Sequence, residues 1–211
     1  MPHFFGCDES WLQFDIGKPF STKRQSSFHQ VVDVVDFCTT PDDGYDKVSE
    51  VLFIRNDSTA GEIIIVKVFD SYRCQVYQTS VHLSEVVGAT GTHYRAVLTL
   101  VLEAFYRSQW KMNVRSYLVK PAMYETLIGG EQNALRTLAR YHFSTWMDDI
   151  WDRSMYEKDT IDYWQGWQDL CFAIASDIEV DKRMKKDKLM IENSSYEAVA
   201  LLNEHFYRFF G

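Results

Sequence analysis

The chain has 211 residues, of which 46% are hydrophobic, 15% aromatic and 25% charged, with only ten Gly and four Pro. That composition can fill a core and excludes a predominantly disordered chain. A net charge of −8 excludes a general nucleic-acid coat, which needs surplus Lys and Arg to displace counterions.

Residues 1–27 are irregular but apolar at Phe4, Phe5, Trp11, Phe14 and Phe20, which describes an arm laid along a surface. No apolar run approaches ~18 residues. The Met1–Asp8 stretch lacks the basic and apolar regions of a secretory signal. The expectation is a protein of the cytoplasm or of a soluble assembly, with no membrane contact. Cys7, Cys38, Cys74 and Cys171 stand far apart with no Cys-x-x-Cys spacing, so unpaired thiols and no metal site are expected.

The segment 28–37 is β-branched and reads as a strand or a short helix. Strands follow at Val48–Arg55, Glu62–Phe69 and Cys74–Leu83, separated by the turn-forming Asn56–Gly61 and Asp70–Tyr72. This predicts an antiparallel meander. Apolar residues at 97, 98, 101, 102, 105 and 106 predict an amphipathic helix over Tyr94–Trp110, capped by Thr90 or Thr92. A strand at Val114–Val119 stops before Pro121. Helices are predicted at about Ala122–Leu127, Gln132–Ile150, Ile161–Ile178 and Tyr196–Phe209, with Lys182–Lys188 as a charged linker. Strands come first and helices after, so the fold class is α+β: an antiparallel-led mixed sheet in 28–130 and a helical extension in 131–211.

The chemistry concentrates where the third strand meets the long helix. A glycine-containing loop that opens a helix gathers free backbone N–H groups and the positive dipole end, a seat for a phosphate group. Gly88, Ala89, Thr90, Gly91, Thr92 and His93 form such a segment. Glu85, His82 and His93 are nearby candidates for a general base.

The β-β-β-α-β-α order and this loop resemble the acyl-CoA N-acyltransferases of the GNAT superfamily over about residues 48–130. In that family the loop holds the acyl-CoA pyrophosphate and a later tyrosine acts as general acid. Tyr124-Glu-Thr-Leu-Ile-Gly129 resembles the tyrosine segment. The resemblance implies acetyl-CoA or another acyl-CoA as cofactor, residues 88–93 as its seat, and Tyr124 as acid. The Arg or Gln that opens the family's loop is absent, the tyrosine-to-glycine spacing is one residue longer, and helices follow Gly129 where the family has strands.

Three other constellations have simpler readings. Asp148-Asp-Ile-Trp-Asp152 has the spacing of a magnesium–diphosphate motif, but among Glu157, Asp159 and Asp162 it reads as a solvated acidic face. His82-x-Ser84 and His142-x-Ser144 resemble the paired motifs of 2H phosphoesterases, yet the spacing around His142 is helical. Trp and Tyr crowd positions 146–167, and Phe206–Phe210 adds more, which suits a protein–protein surface. Two functions therefore stand: an acyltransferase, or a non-catalytic assembly subunit, such as a virion or phage component, that associates with itself or with another protein through its arm and aromatic helices.

Overall fold

The computed structural model describes residues 6–107, 113–158 and 162–193. It is an α+β fold built on one five-stranded mixed sheet. In chain order the elements are α1 (Glu9–Phe14), β1 (Lys23–Gln25), α2 (Val31–Thr39), β2 (Glu50–Asn56), β3 (Glu62–Val68), β4 (Cys74–His82) and α3 (Ala89–Arg107). They continue as β5 (Asn113–Val119), α4 (Pro121–Gly129), α5 (Ala134–Leu138), α6 (Trp146–Asp149), α7 (Arg153–Tyr156), α8 (Trp167–Val180) and α9 (Lys182–Asn193).

The sheet order is β1-β4-β3-β2-β5. The predicted meander forms, with Phe53 opposite Ile65 and Ile65 opposite Tyr77. After α3 the chain crosses over to place β5 parallel to β2, the first strand of the meander. β1 lies parallel to β4 at the other edge. The arm is thus part of the sheet, fastened further by Phe20 N–H to the Gly130 carbonyl at 3.0 Å. Both edges are blunted: β1 is short and carries Lys23 and Arg24, and on β5 Ser144 pairs with Ser116 while Trp146 Nε1 donates to the Tyr117 carbonyl at 3.2 Å.

Side chains alternate across the sheet into two cores. Val51, Phe53, Ile63 and Ile65 face a large core with α2, α3, α6, α8 and α9. Leu52, Ile54, Ile64 and Val66 face a smaller one with α4 and α5. β2 and β3 are covered on both sides, which is why they read as unbroken apolar runs. α3 is buried continuously from Tyr94 to Phe105, held between the sheet and the helices that follow 131. Residues on both sides of position 130 share this larger core.

Several predicted elements differ. The 28–37 ambiguity resolves as a helix, with Gln30 at its amino end. The single helix expected over Gln132–Ile150 is two short ones, because the chain between them extends to pair at Ser144 and Trp146 turns into the core, fully buried. The expected start at Ile161 moves to Trp167, where Gly166 adopts φ +80°. Lys182–Lys188 is no linker but the start of α9. Asp181 accepts from the N–H groups of Arg183 (2.8 Å) and Met184 (3.0 Å), and Met184 and Ile191 are buried one above the other. The helix expected at Tyr196–Phe209, and the end of the one expected to reach Trp110, lie outside the described residues. Cys38, Cys74 and Cys171 are free thiols, and burial pushes Cys38 up to about 12.

A buried ion pair fixes the α2–β2 loop to the sheet. Lys67 Nζ donates to Asp42 Oδ1 at 2.9 Å and to the Thr40 carbonyl at 3.0 Å, with the Phe37 ring 4.2 Å away. Asp42 also accepts from the Tyr77 hydroxyl and from Lys23 Nζ at 3.0 Å. Burial works to raise the Asp42 carboxyl, but Tyr77, Lys67 and Lys23 outweigh it and hold it below the usual carboxylate range. A depressed folded-state value contributes stability above the unfolded pKa of about 3.9, lost as pH falls through the folded value. Asp42→Asn should therefore flatten the acid limb of the stability–pH curve while lowering stability at pH 7. Urea titrations between pH 2.5 and 7 measure both.

Candidate functional site

β1, β2, β4 and β5 run in one direction and β3 in the other. The carboxyl ends of β2, β4 and β5 therefore share one edge with the amino ends of α3 and α4, the place where open mixed sheets gather polar loops. A cleft of about 370 Å³ opens at this edge between the loops after β2 and β4 and the Trp164–Gly166 segment.

Its wall is Arg55. The side chain is 2% exposed, with the guanidinium carbon 3.7 Å from the centre of the Trp164 ring. Nε and Nη2 donate to the Leu83 carbonyl at 3.3 and 2.9 Å, and Nη1 donates to the Asn56 carbonyl at 2.9 Å. Burial pulls the guanidinium down to about 10, against the opposing pull of Asp57 and Glu62. Gly61, at φ +57°, passes directly beneath: its carbonyl accepts from Leu83 N–H at 2.8 Å, and a Cβ there would overlap the Leu83 carbonyl and stand 2.6 Å from Arg55 Nη2. A second buried arginine, Arg95, donates to the Ser84 carbonyl and to Asp177 Oδ2, both at 2.8 Å. The β4–α3 loop is thereby held by two guanidinium groups.

On the other face of the sheet, Glu62 Oε2 accepts from Asn56 Nδ2 at 3.0 Å and Ser58 Oγ at 2.7 Å. Burial opposes ionisation of Glu62, but Ser58, its own backbone N–H, His82 and Asn56 together hold its carboxyl below the usual range. Asn56 Oδ1 is buried with no hydrogen-bond partner. Lys120 pairs with Asp57 at the rim.

The sequence-predicted residues fall into two groups. Tyr124 and His82 both lie within the field of Glu62: His82 stands across from it in the β3–β4 register, with Nδ1 3.2 Å from the Ala60 carbonyl oxygen. Tyr124 is buried in the smaller core, and burial, with the charges of Glu62 and Glu125, raises its hydroxyl. Glu85 and residues 88–93 lie on the opposite side. Glu85 is exposed in the β4–α3 loop, its Oε1 lying against Gly166 at the amino end of α8. The expected loop at 88–93 is the first turn of α3, since Thr92 N–H already donates to the Gly88 carbonyl at 2.9 Å. Ala89, Thr92 and His93 line a separate cavity of about 430 Å³ with Asp177, Val180, Asp181 and Met184. His93 Nε2 is 3.0 Å from the His29 carbonyl oxygen. Tyr124 thus packs in the core on one face of the sheet and the helix that begins at the 88–93 turn packs on the other.

The Asp148–Asp152 motif does not share one helical face. Asp149 accepts from the Tyr163 hydroxyl, and Asp152 caps α7 by accepting from Ser154 N–H. Burial, then Asp149, raises Asp148. His142 is exposed in the non-helical segment between α5 and α6, two residues before Ser144 pairs with Ser116 of β5, and not in the helix its spacing predicts. Among the described residues no three His, Cys, Asp or Glu side chains converge as a metal site would require. Arg55, Asn56 and Glu62 went unmarked in the sequence. The one available signal was charge and amide at the end of an otherwise apolar strand. Family profiles, curated proteins and solved structures contain no match to this chain.

Gly61→Ala should destabilise the protein by roughly 1–3 kcal/mol, the cost of a strained backbone position, with further loss from the overlap at Leu83. Thermal and urea denaturation of the variant beside Gly88→Ala, where a Cβ meets nothing within 4 Å, isolates the effect.

Proposed function

We propose that this chain is a non-catalytic interaction module that associates with protein through its amino-terminal segment. The observation that carries the reading is α1: none of its residues is buried, and Leu12, Phe14 and the following Ile16 are 43%, 67% and 64% exposed. The helix is well formed all the same. Asp8 Oδ1 accepts from Ser10 N–H at 2.9 Å, and Asp15 ends it at φ 56°. A capped helix that leaves Leu12 and Phe14 exposed among the described residues, with only Trp11 partly buried, is ordered for presentation. Burying one such side chain contributes about 1.5–3 kcal/mol.

The polar groups at the carboxyl edge favour the same reading, because they are engaged in structural contacts. Arg55 and Arg95 hold carbonyls, Glu62 holds Asn56 and Ser58, and Asp57 holds Lys120. The acyltransferase reading draws on the opening turn of α3, whose amino end faces solvent at this edge. It requires a pyrophosphate to settle near Asp177 and Asp181 and an acid, Tyr124, to act from across the sheet. The interaction reading requires neither.

Phe14→Ser combined with Ile16→Ser should leave the melting temperature within a degree or two and abolish association. Sedimentation velocity up to several hundred micromolar reads self-association. Capture from the native source with both forms, counting only proteins lost with the variant, reads a different partner. Monomers at every concentration and identical captured sets would refute the proposal. Acetyl-CoA at millimolar concentration should not move the melting temperature, whereas a saturable rise would favour the acyltransferase.

A further inference from the structure

A second surface of the chain has the opposite charge to α1. α8 ends at Val180 and α9 begins at Lys182, and the corner between them opens beside the first turn of α3. The cavity of about 430 Å³ found there has an apolar side of Ala89, Val180 and Met184. Val180 is 80% exposed. The two acids of the lining are engaged, since Asp177 holds Arg95 and Asp181 caps α9.

The helix that leaves this corner is basic. α9 carries five Lys and Arg against Asp187 and Glu192, a net charge of +3 in twelve residues of a chain whose total is −8. Lys185 and Lys188 are drawn to Glu179. Lys182, Arg183 and Lys186 are exposed, and among the described residues none of them forms an ion pair. Lys182, Lys186 and Leu189 fall at i, i+4 and i+7, on one helical face, and Leu189 is half exposed. α1 is the converse: Leu12, Phe14 and Ile16 stand out beside Glu9 and Asp15, which are exposed and have no ion-pair partner among the described residues.

The two surfaces cannot meet within one molecule. The segment bearing α1 is fastened at the amino end of β4, where Gly6 lies against Arg73 and residues 6–9 share a cavity with Cys74, Gln75 and Val76. The α8–α9 corner adjoins the amino end of α3, which follows the carboxyl end of β4. β4 has nine residues, so it spans about 30 Å.

We propose that the partner of α1 is a second copy of this chain, whose α8–α9 corner receives Phe14 and Ile16 while its Lys182, Arg183 and Lys186 face Glu9 and Asp15. This rests on the reading of α1 given above and names its partner. Apolar burial supplies the affinity, and the charges select which face is met. The contact joins two different surfaces, so each added copy offers both again and the assembly is a ring or an open series.

Sedimentation velocity on the full chain, up to several hundred micromolar, tests this with two double variants that change exposed side chains only: Phe14→Ser with Ile16→Ser, and Lys182→Glu with Lys186→Glu. Melting temperatures within a degree or two of the unaltered chain establish that both fold. The unaltered chain should associate, and each variant alone should do so at least tenfold more weakly. Mixed in equal amounts, the two should form a one-to-one dimer and nothing larger, because one keeps an intact α1 and the other an intact corner. Monomers throughout for the unaltered chain, undiminished association of the Lys182→Glu, Lys186→Glu protein, or a mixture that gains no dimer would overturn the proposal. Each of these leaves the amino-terminal reading standing when capture from the native source still depends on Phe14 and Ile16. Association that survives undiminished in the Phe14→Ser, Ile16→Ser protein overturns both.

Discussion

The guanidinium of Arg55 joins three parts of the molecule that are remote in sequence. It leaves the end of β2, takes the carbonyl at which β4 runs into the α3 loop, and stacks on Trp164 ahead of α8. Trp164 in turn packs edge-on to Trp146 and Trp167, at 6.0 and 4.6 Å between ring centres. A charge removed from water is unfavourable alone, so its surroundings must supply carbonyl dipoles and an aromatic face together. That requirement explains Gly61, whose lack of a side chain lets the β2–β3 turn pass beneath the group, and it sets where the helices after 131 can sit.

From that clamp follows the separation of the two faces. With Trp146, Trp164 and Trp167 drawn into the larger core, α3 is covered on its outer side as well as against the sheet, and twelve successive residues from Tyr94 to Phe105 are buried. Most of the polar groups among them are engaged within the chain: Thr99 donates to the Arg95 carbonyl at 2.9 Å, and Arg107 donates to Glu103 at 2.7 Å, while Arg95 Nε is buried without a hydrogen-bond partner. α4 and Tyr124 are confined to the other face.

The meander was legible because Val, Ile and Phe runs are punctuated by Asn56–Gly61 and Asp70–Tyr72, and local chemistry decides such turns. The sheet order was not, because nothing local distinguishes β5 beside β2 from β5 beside β4. Over 132–150 the helical spacing of Leu135, Leu138 and His142 misleads: the need to cap the β5 edge and to bury Trp146 overrides propensity. In α9 a run of Lys and Arg hid two core residues, Met184 and Ile191, whose seven-residue spacing was available to be read. His82, Glu85 and residues 88–93 were marked because a strand-to-helix junction is a local signal; of these Glu85 lines the cleft beside Arg55, and Ala89, Thr92 and His93 line a separate cavity. Arg55 was missed because its meaning depends on Leu83 and Trp164, neither of which is near it in the chain.

The clamp is tested most directly by a double-mutant cycle between Arg55→Met and Trp164→Leu, with unfolding free energies from urea titration. A desolvated cation–π contact of this kind is worth about 2 kcal/mol or more, so the two substitutions should be coupled by roughly that amount. Additive effects within about 0.5 kcal/mol would show that Arg55 and Trp164 stabilise the fold independently and that the sheet and the following helices are joined by some other contact.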